Sequence, residues 1–135
     1  ENPLPKTNKD ANTKEPPVKV ENIAFDFRSP TGNIICRMDS EGALCGIGEF
    51  SYDFSPDPNC DLAGYGQFFQ VGASGLGTLA CADGLPAPPN SPVLKYGAFA
   101  RSKRYECGSS VEGVYCENRH TGHGFAVSRE RYSIR

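Results

Sequence analysis

Six cysteines constrain this chain more than any other feature: Cys36, Cys45, Cys60, Cys81, Cys107 and Cys116. Their number is even and their spacings are wide. No Cys-x-x-Cys occurs, so zinc-knuckle and thioredoxin-like chemistry have no support. The set reads as three disulfides, which places the chain in an oxidising compartment outside the cytoplasm. Count alone leaves many connectivities open, but an internal echo narrows them. Cys36 to Cys45 and Cys107 to Cys116 share the pattern Cys-x4-Glu-Gly-x2-Cys. A four-residue hairpin loop closes most easily on glycine, which adopts positive φ at little cost. Loops at Asp39–Gly42 and Ser110–Gly113 then set Cys36 opposite Cys45 and Cys107 opposite Cys116. Opposed residues of a non-hydrogen-bonded pair lie within disulfide reach. The expected bonds are Cys36–Cys45 and Cys107–Cys116, with Cys60–Cys81 left as the third.

A second turn tests the first hairpin. Ser29-Pro30-Thr31-Gly32 pairs Arg28 with Asn33, Phe27 with Ile34, Phe25 with Cys36 and Ile23 with Met38. One face of the resulting meander carries Ile23, Phe25, Phe27, Ile34, Cys36, Met38, Ala43, Cys45 and Ile47, all apolar or cysteine. The other face is mainly polar, and a slip of one residue would scramble the division.

Gly (15) and Pro (11) make up 26 of the 135 residues, which leaves no room for the long runs a helical bundle needs. Apolar or alternating segments at 49–54, 65–71, 77–81, 93–100, 103–107, 114–118 and 124–128 read as short strands, and 128–132 as a last helical turn. The expected fold is all-β, a small antiparallel sandwich or barrel of short strands stapled by three disulfides. Residues 1–20 carry Pro3, Pro5, Pro16 and Pro17 with four lysines and few apolar residues, and read as a flexible Pro/Lys-rich tether. The β domain is expected over 21–135. A tether implies something to hold it, so a membrane contact is expected only through an upstream anchor absent from this chain.

Charge divides unevenly. Residues 21–94 hold two basic residues against nine acidic, and residues 95–135 hold eight against four. With a pI near 5.7 and one adjacent basic pair, Lys103-Arg104, nucleic acid is excluded as a partner. Arg101, Lys103, Arg104, Arg119 and Arg129, with His123, form the candidate binding patch. The second hairpin sets Arg104 against Arg119 and Glu106 against Glu117, like charges directly opposed, so either the diagonal pairs Arg104–Glu117 and Glu106–Arg119 compensate or this register is wrong.

The remaining motifs carry little chemistry. Gly72-Ala73-Ser74-Gly75-Leu76-Gly77 lacks the Gly-Lys-Ser/Thr ending of a phosphate loop, precedes a strand, and reads as a glycine-rich hairpin loop. Ser74 lacks the second spaced glycine of a nucleophile elbow. His120 and His123 would point to opposite faces of a strand, so no metal site is expected. Asp57 and Asp61 sit among prolines, where acidic residues cap turns. Asp53, Asp57 and Asp61 lack the twelve-residue calcium-loop pattern. The six tyrosines read as half-buried strand residues. No catalytic residue and no cofactor is expected.

Several motifs in order resemble a known family. They are Phe27-x-Ser29-Pro30-Thr31-Gly32-Asn33-Ile34-x-Cys36, Leu44-Cys45-Gly46-Ile47, Leu94-x-Tyr96-Gly97, Cys107, Gly113-Val114-Tyr115-Cys116-x-Asn118, and Thr121-Gly122-His123-Gly124-Phe125-x-x-Ser128-Arg129. Together, over about residues 23–132, they resemble a domain of unknown function found in secreted, lipid-anchored or single-span envelope proteins of actinobacteria. The resemblance implies an extracytoplasmic location and paired cysteines, and carries no catalytic residues. The tryptophan often present mid-chain in that family is absent here. The expected function is a non-enzymatic cell-envelope domain that binds a partner, either an envelope protein or a cell-wall glycan. The alternative is an inhibitor or regulator of a secreted protease or peptidoglycan hydrolase, presenting loops 72–77 and 84–92.

Overall fold

Residues 18–19 and 25–135 are described by a computed structural model of the chain. The strands are β1 (Val18–Lys19), β2 (Phe25–Arg28), β3 (Ile34–Asp39), β4 (Gly42–Ile47), β5 (Phe68–Val71), β6 (Thr78–Leu79), β7 (Phe99–Arg101), β8 (Tyr105–Ser110), β9 (Gly113–Asn118), β10 (Gly124–Val127) and β11 (Tyr132–Ile134). They form two sheets, ordered β2-β3-β4-β5-β6 and β1-β7-β8-β9-β10-β11. Among the described residues every pairing is antiparallel except β1 with β7 and one isolated bridge from Arg28 to Val93. The sheets pack through β4 and β5 against β8, β9 and β10, and the fold is a sandwich. The expected tether over 1–20 lies outside the described residues apart from β1.

All three expected disulfides are present: Cys36–Cys45, Cys60–Cys81 and Cys107–Cys116. Both echo hairpins have the expected register, but the ladder runs one pair further, with Asp39 opposite Gly42 and Ser110 opposite Gly113, so each connection is two residues rather than four. The cysteine pairs stand directly opposed, with Cα atoms 4.1 and 4.0 Å apart. The four cysteines of these two bonds are fully buried in the middle of the core.

The halves of the sandwich repeat one another. In the first, Cys45 faces Phe69 on the next strand; in the second, Cys116 faces Phe125. The two phenylalanine rings meet across the sheets at 5.8 Å. Gly42 (φ +154°) and Gly113 (φ +127°) close the two hairpins. A Cβ at Gly42 would strike the Val71 carbonyl, and one at Gly113 the Val127 carbonyl. The glycine of each Glu-Gly therefore serves close strand approach as well as the turn.

Four expectations need correction. Residues 93–100 are not one strand: a turn at Tyr96 and Gly97, closed by the Ala98 N–H on the Lys95 carbonyl, interrupts them and β7 begins only at Phe99. The first meander pairs Phe25 with Met38 and Phe27 with Cys36, a register two residues away from the one expected. The turn sits one residue further along the chain, because Ser29 stands opposite Ile34 and closes it over Pro30–Asn33: its N–H donates to the Ile34 carbonyl and its Oγ accepts from the Ile34 N–H. An even shift leaves each side chain on its face. Phe27, Ile34, Cys36, Met38, Ala43, Cys45 and Ile47 are indeed buried. Residues 49–54 are not a strand. Their alternation comes from an aromatic plug, with Phe50 stacked on Tyr52 at 4.5 Å and the Tyr52 hydroxyl donating to the Gly66 carbonyl. Residues 128–131 form a tight turn rather than a helical one, closed by the Ser128 N–H on the Arg131 carbonyl, and Tyr132 begins β11.

Candidate functional site

At one end of the sandwich four connections converge: the β3–β4 tip, loop 72–77, the β7–β8 turn (102–104) and the β9–β10 turn (119–123). Asn118, the last residue of β9, ties loop 72–77 to the β9–β10 turn and is fully buried. Its Oδ1 accepts the N–H groups of His120 (2.8 Å) and Thr121 (3.2 Å). Its Nδ2 donates to the carbonyls of Gly72 (3.0 Å) and Ala73 (3.3 Å), which belong to the opposite sheet. Arg119 then fastens the neighbouring turn, its Nη1 donating to the carbonyls of Ser102 (2.7 Å) and Lys103 (3.1 Å). Arg135 adds two ties: its Nε donates to the Gly122 carbonyl and its own carbonyl accepts the Gly77 N–H.

The candidate patch divides in the structure. Lys103, Arg104, Arg119 and His123 all lie at this end, with Lys103 and Arg119 exposed and Arg104 and His123 half-buried. Arg101 is turned away to Glu106, donating from Nε and Nη2 at 3.0 and 2.8 Å, with its guanidinium over the Phe99 ring. Arg129 sits past Val127 at the opposite end, 3.5 Å from the Glu49 carboxylate. Asp57 caps a turn, its carboxylate accepting the Asn59 N–H at 2.9 Å.

Glu106 and Glu117 do face each other on the outer side of the six-stranded sheet, and both are buried. Diagonal arginines do not compensate them. Arg101 on the adjacent strand serves Glu106, and Arg135 at the chain end serves Glu117 at 2.8 Å. The Tyr115 hydroxyl donates to the second Glu106 oxygen. Burial, and then the Glu106 charge, push Tyr115 ionisation well above the ordinary tyrosine range. The facing of Glu106 and Glu117 follows from the sequence, but their partners Arg101, Tyr115 and Arg135 were missed at that level, as was the tie made by Asn118. Asn118 had a signal: it follows Cys116 by two on a strand, so it is a polar residue on the core face.

The sulfurs of Cys36, Cys45 and Cys116 lie within 4.8 Å of one another. They are engaged in disulfides, and metals bind the thiolate form. Beside the β3–β4 tip, loop 72–77 walls an open groove of about 580 Å³ on the outer face of the five-stranded sheet.

Comparison with known proteins places the chain. The model of a family of unknown function, DUF6636, matches residues 16–134. No curated protein and no solved structure matches it.

Proposed function

We propose that this chain, which belongs to the DUF6636 family of unknown function, is a non-enzymatic binding domain working outside the cytoplasm. It engages a component of the cell envelope through the loop-bearing end of its sandwich. The observation that carries this reading is the Asn118 tie, which fixes loops from both sheets into one preorganised surface. Preorganisation lowers the ordering cost of association. The three disulfides suit an oxidising compartment. Two of the charged groups at this end serve the scaffold, Arg119 on carbonyls and Arg135 on Glu117, as fits a binding surface better than a catalytic one.

The test is site-specific photo-cross-linking of the full chain in living cells. A cross-linker at Lys103 or His123 is expected to capture one defined envelope component, and one at Val111, on the opposite hairpin tip, is not. The K103E/R104E variant should lose the capture. Equal capture from Lys103 and Val111, or capture unchanged in K103E/R104E, would overturn the assignment.

A further inference from the structure

We infer that the groove on the outer face of the five-stranded sheet binds a linear, uncharged glycan lying across the strands. The inference rests on the reading of the domain as an envelope binder and names a ligand class for the surface next to its loop end.

The floor of the groove is a cross-strand row of Arg37, Leu44, Gln70 and Thr78, with Asp26 just beyond its end. Asp26 on β2 faces Arg37 on β3, Arg37 faces Leu44, Leu44 faces Gln70, and Gln70 faces Thr78 on β6. All five side chains point outward, and Arg37, Gln70 and Thr78 are exposed. Adjacent strands lie ~4.8 Å apart, so the four floor residues span roughly 14 Å. That strand spacing is close to the length of one sugar ring in an equatorially linked chain. Each strand therefore offers one side chain to successive rings.

The chemistry of the row suits hydroxyl groups. Guanidinium, carboxylate and carboxamide are planar groups with two adjacent hydrogen-bonding atoms, a match for the neighbouring hydroxyls of a sugar. Arg37 is already oriented, 3.1 Å from Asp26 and 3.7 Å from Asp39. Thr78 adds a hydroxyl, and Leu44 gives an apolar spot for the C–H face of a ring. Asp39 and Glu41 on the wall disfavour an anionic polymer. A peptide is a poorer fit, because peptides usually extend a sheet along its edge, whereas this groove crosses the strands.

The wall is fixed rather than loose. Asn118 holds the Gly72 and Ala73 carbonyls, and Asp39 Oδ1 accepts the Glu41 N–H at 2.9 Å. The repeated half shows the contrast. There the matching row carries Gly108, Tyr115 and Ala126, and Tyr115 is buried over Glu106. The sequence repeat has kept the scaffold in both halves and left one face open.

The experiment is affinity electrophoresis and calorimetry of the full chain. The probes are soluble β-linked N-acetylglucosamine oligomers and cello-oligosaccharides, both uncharged. At least one series should bind, more tightly with length until the row is filled. The Q70A/T78A variant, with its thermal transition unchanged, should bind at least tenfold more weakly. K103E/R104E should bind the glycan as the parent does while losing its cross-linked partner, which separates failure of this inference from failure of the loop-end reading. Absence of binding to every series, equal binding by Q70A/T78A, or full displacement by an extended cell-wall peptide would each overturn it.

Discussion

The Cys45 and Cys116 sulfurs lie 3.7 Å apart, although each is bonded to a different partner and each stands on a different sheet. Contact between the two disulfides is where the repeated halves meet, so the covalent bonds within each sheet stack on one another across the core. Removing Cys36 and Cys107 would leave two thiols facing each other across that contact. The C36S/C107S variant is expected to form a Cys45–Cys116 bond on oxidation, tying sheet to sheet. Peptide mapping of the non-reduced protein reads the result. Two alkylatable thiols in the folded, oxidised variant would show that the backbones cannot close the gap.

The third bond behaves differently because of where it lies. Cys81 is exposed and Cys60 half-buried, while the other four cysteines are fully buried. Exchange needs access to a sulfur. Under mild thiol treatment Cys60–Cys81 should therefore be reduced first, with the two core bonds intact until the domain opens. Its loop is also the longest, so its loss is expected to cost about 3 kcal/mol, slightly more than either core bond on chain entropy alone. Timed alkylation with mass mapping gives the order, and early labelling of Cys36 or Cys107 would contradict it.

Much of this architecture was legible in the sequence because its signals are local. A Glu-Gly at fixed distance from each cysteine specifies both hairpins and, through them, all three bonds. The face of the first meander was legible even though its register was not, since a two-residue shift conserves the alternation. What lay beyond reach depends on residues far apart in the chain. The pairing of Glu117 with Arg135 spans 18 residues and that of Asn118 with Gly72 spans 46, and no local pattern encodes either. The aromatic plug at 50–54 imitates a strand because packing against Phe69 and Tyr132 imposes the same alternation as pleating does.

Asn118 gives the sharpest mutational test of the loop-bearing end. Its buried amide serves two backbone donors and two backbone acceptors, and truncation leaves them without that partner. Asn118→Ala is expected to cost about 2–3 kcal/mol. Asn118→Asp should be no milder, since it replaces the Nδ2 donor with an oxygen facing the Gly72 and Ala73 carbonyls. Denaturant midpoints give the cost, and hydrogen exchange should show loop 72–77 loosened while β8 stays protected. An unchanged exchange pattern in that loop would mean that Gly77 and Arg135 suffice to hold it.

The buried tyrosines fix how stability responds to alkali. Tyr115, under burial and the Glu106 charge, and Tyr52, under burial and its neighbour Tyr132, both ionise well above the ordinary tyrosine value near 10. The folded chain then keeps these protons while the unfolded chain releases them. The unfolded state binds fewer protons above pH 10, so stability falls as pH rises. The contribution is complete below pH ~10 and drops by about 1.4 kcal/mol per pH unit for each such tyrosine above it. Urea midpoints measured from pH 9 to pH 11.5 should be flat at first and then descend. Tyr115→Phe removes one titrating group, so its descent should be shallower by that amount even though its midpoint at pH 9 is lowered by the lost Glu106 hydrogen bond. A slope equal to the parent's would place the alkaline sensitivity elsewhere than Tyr115.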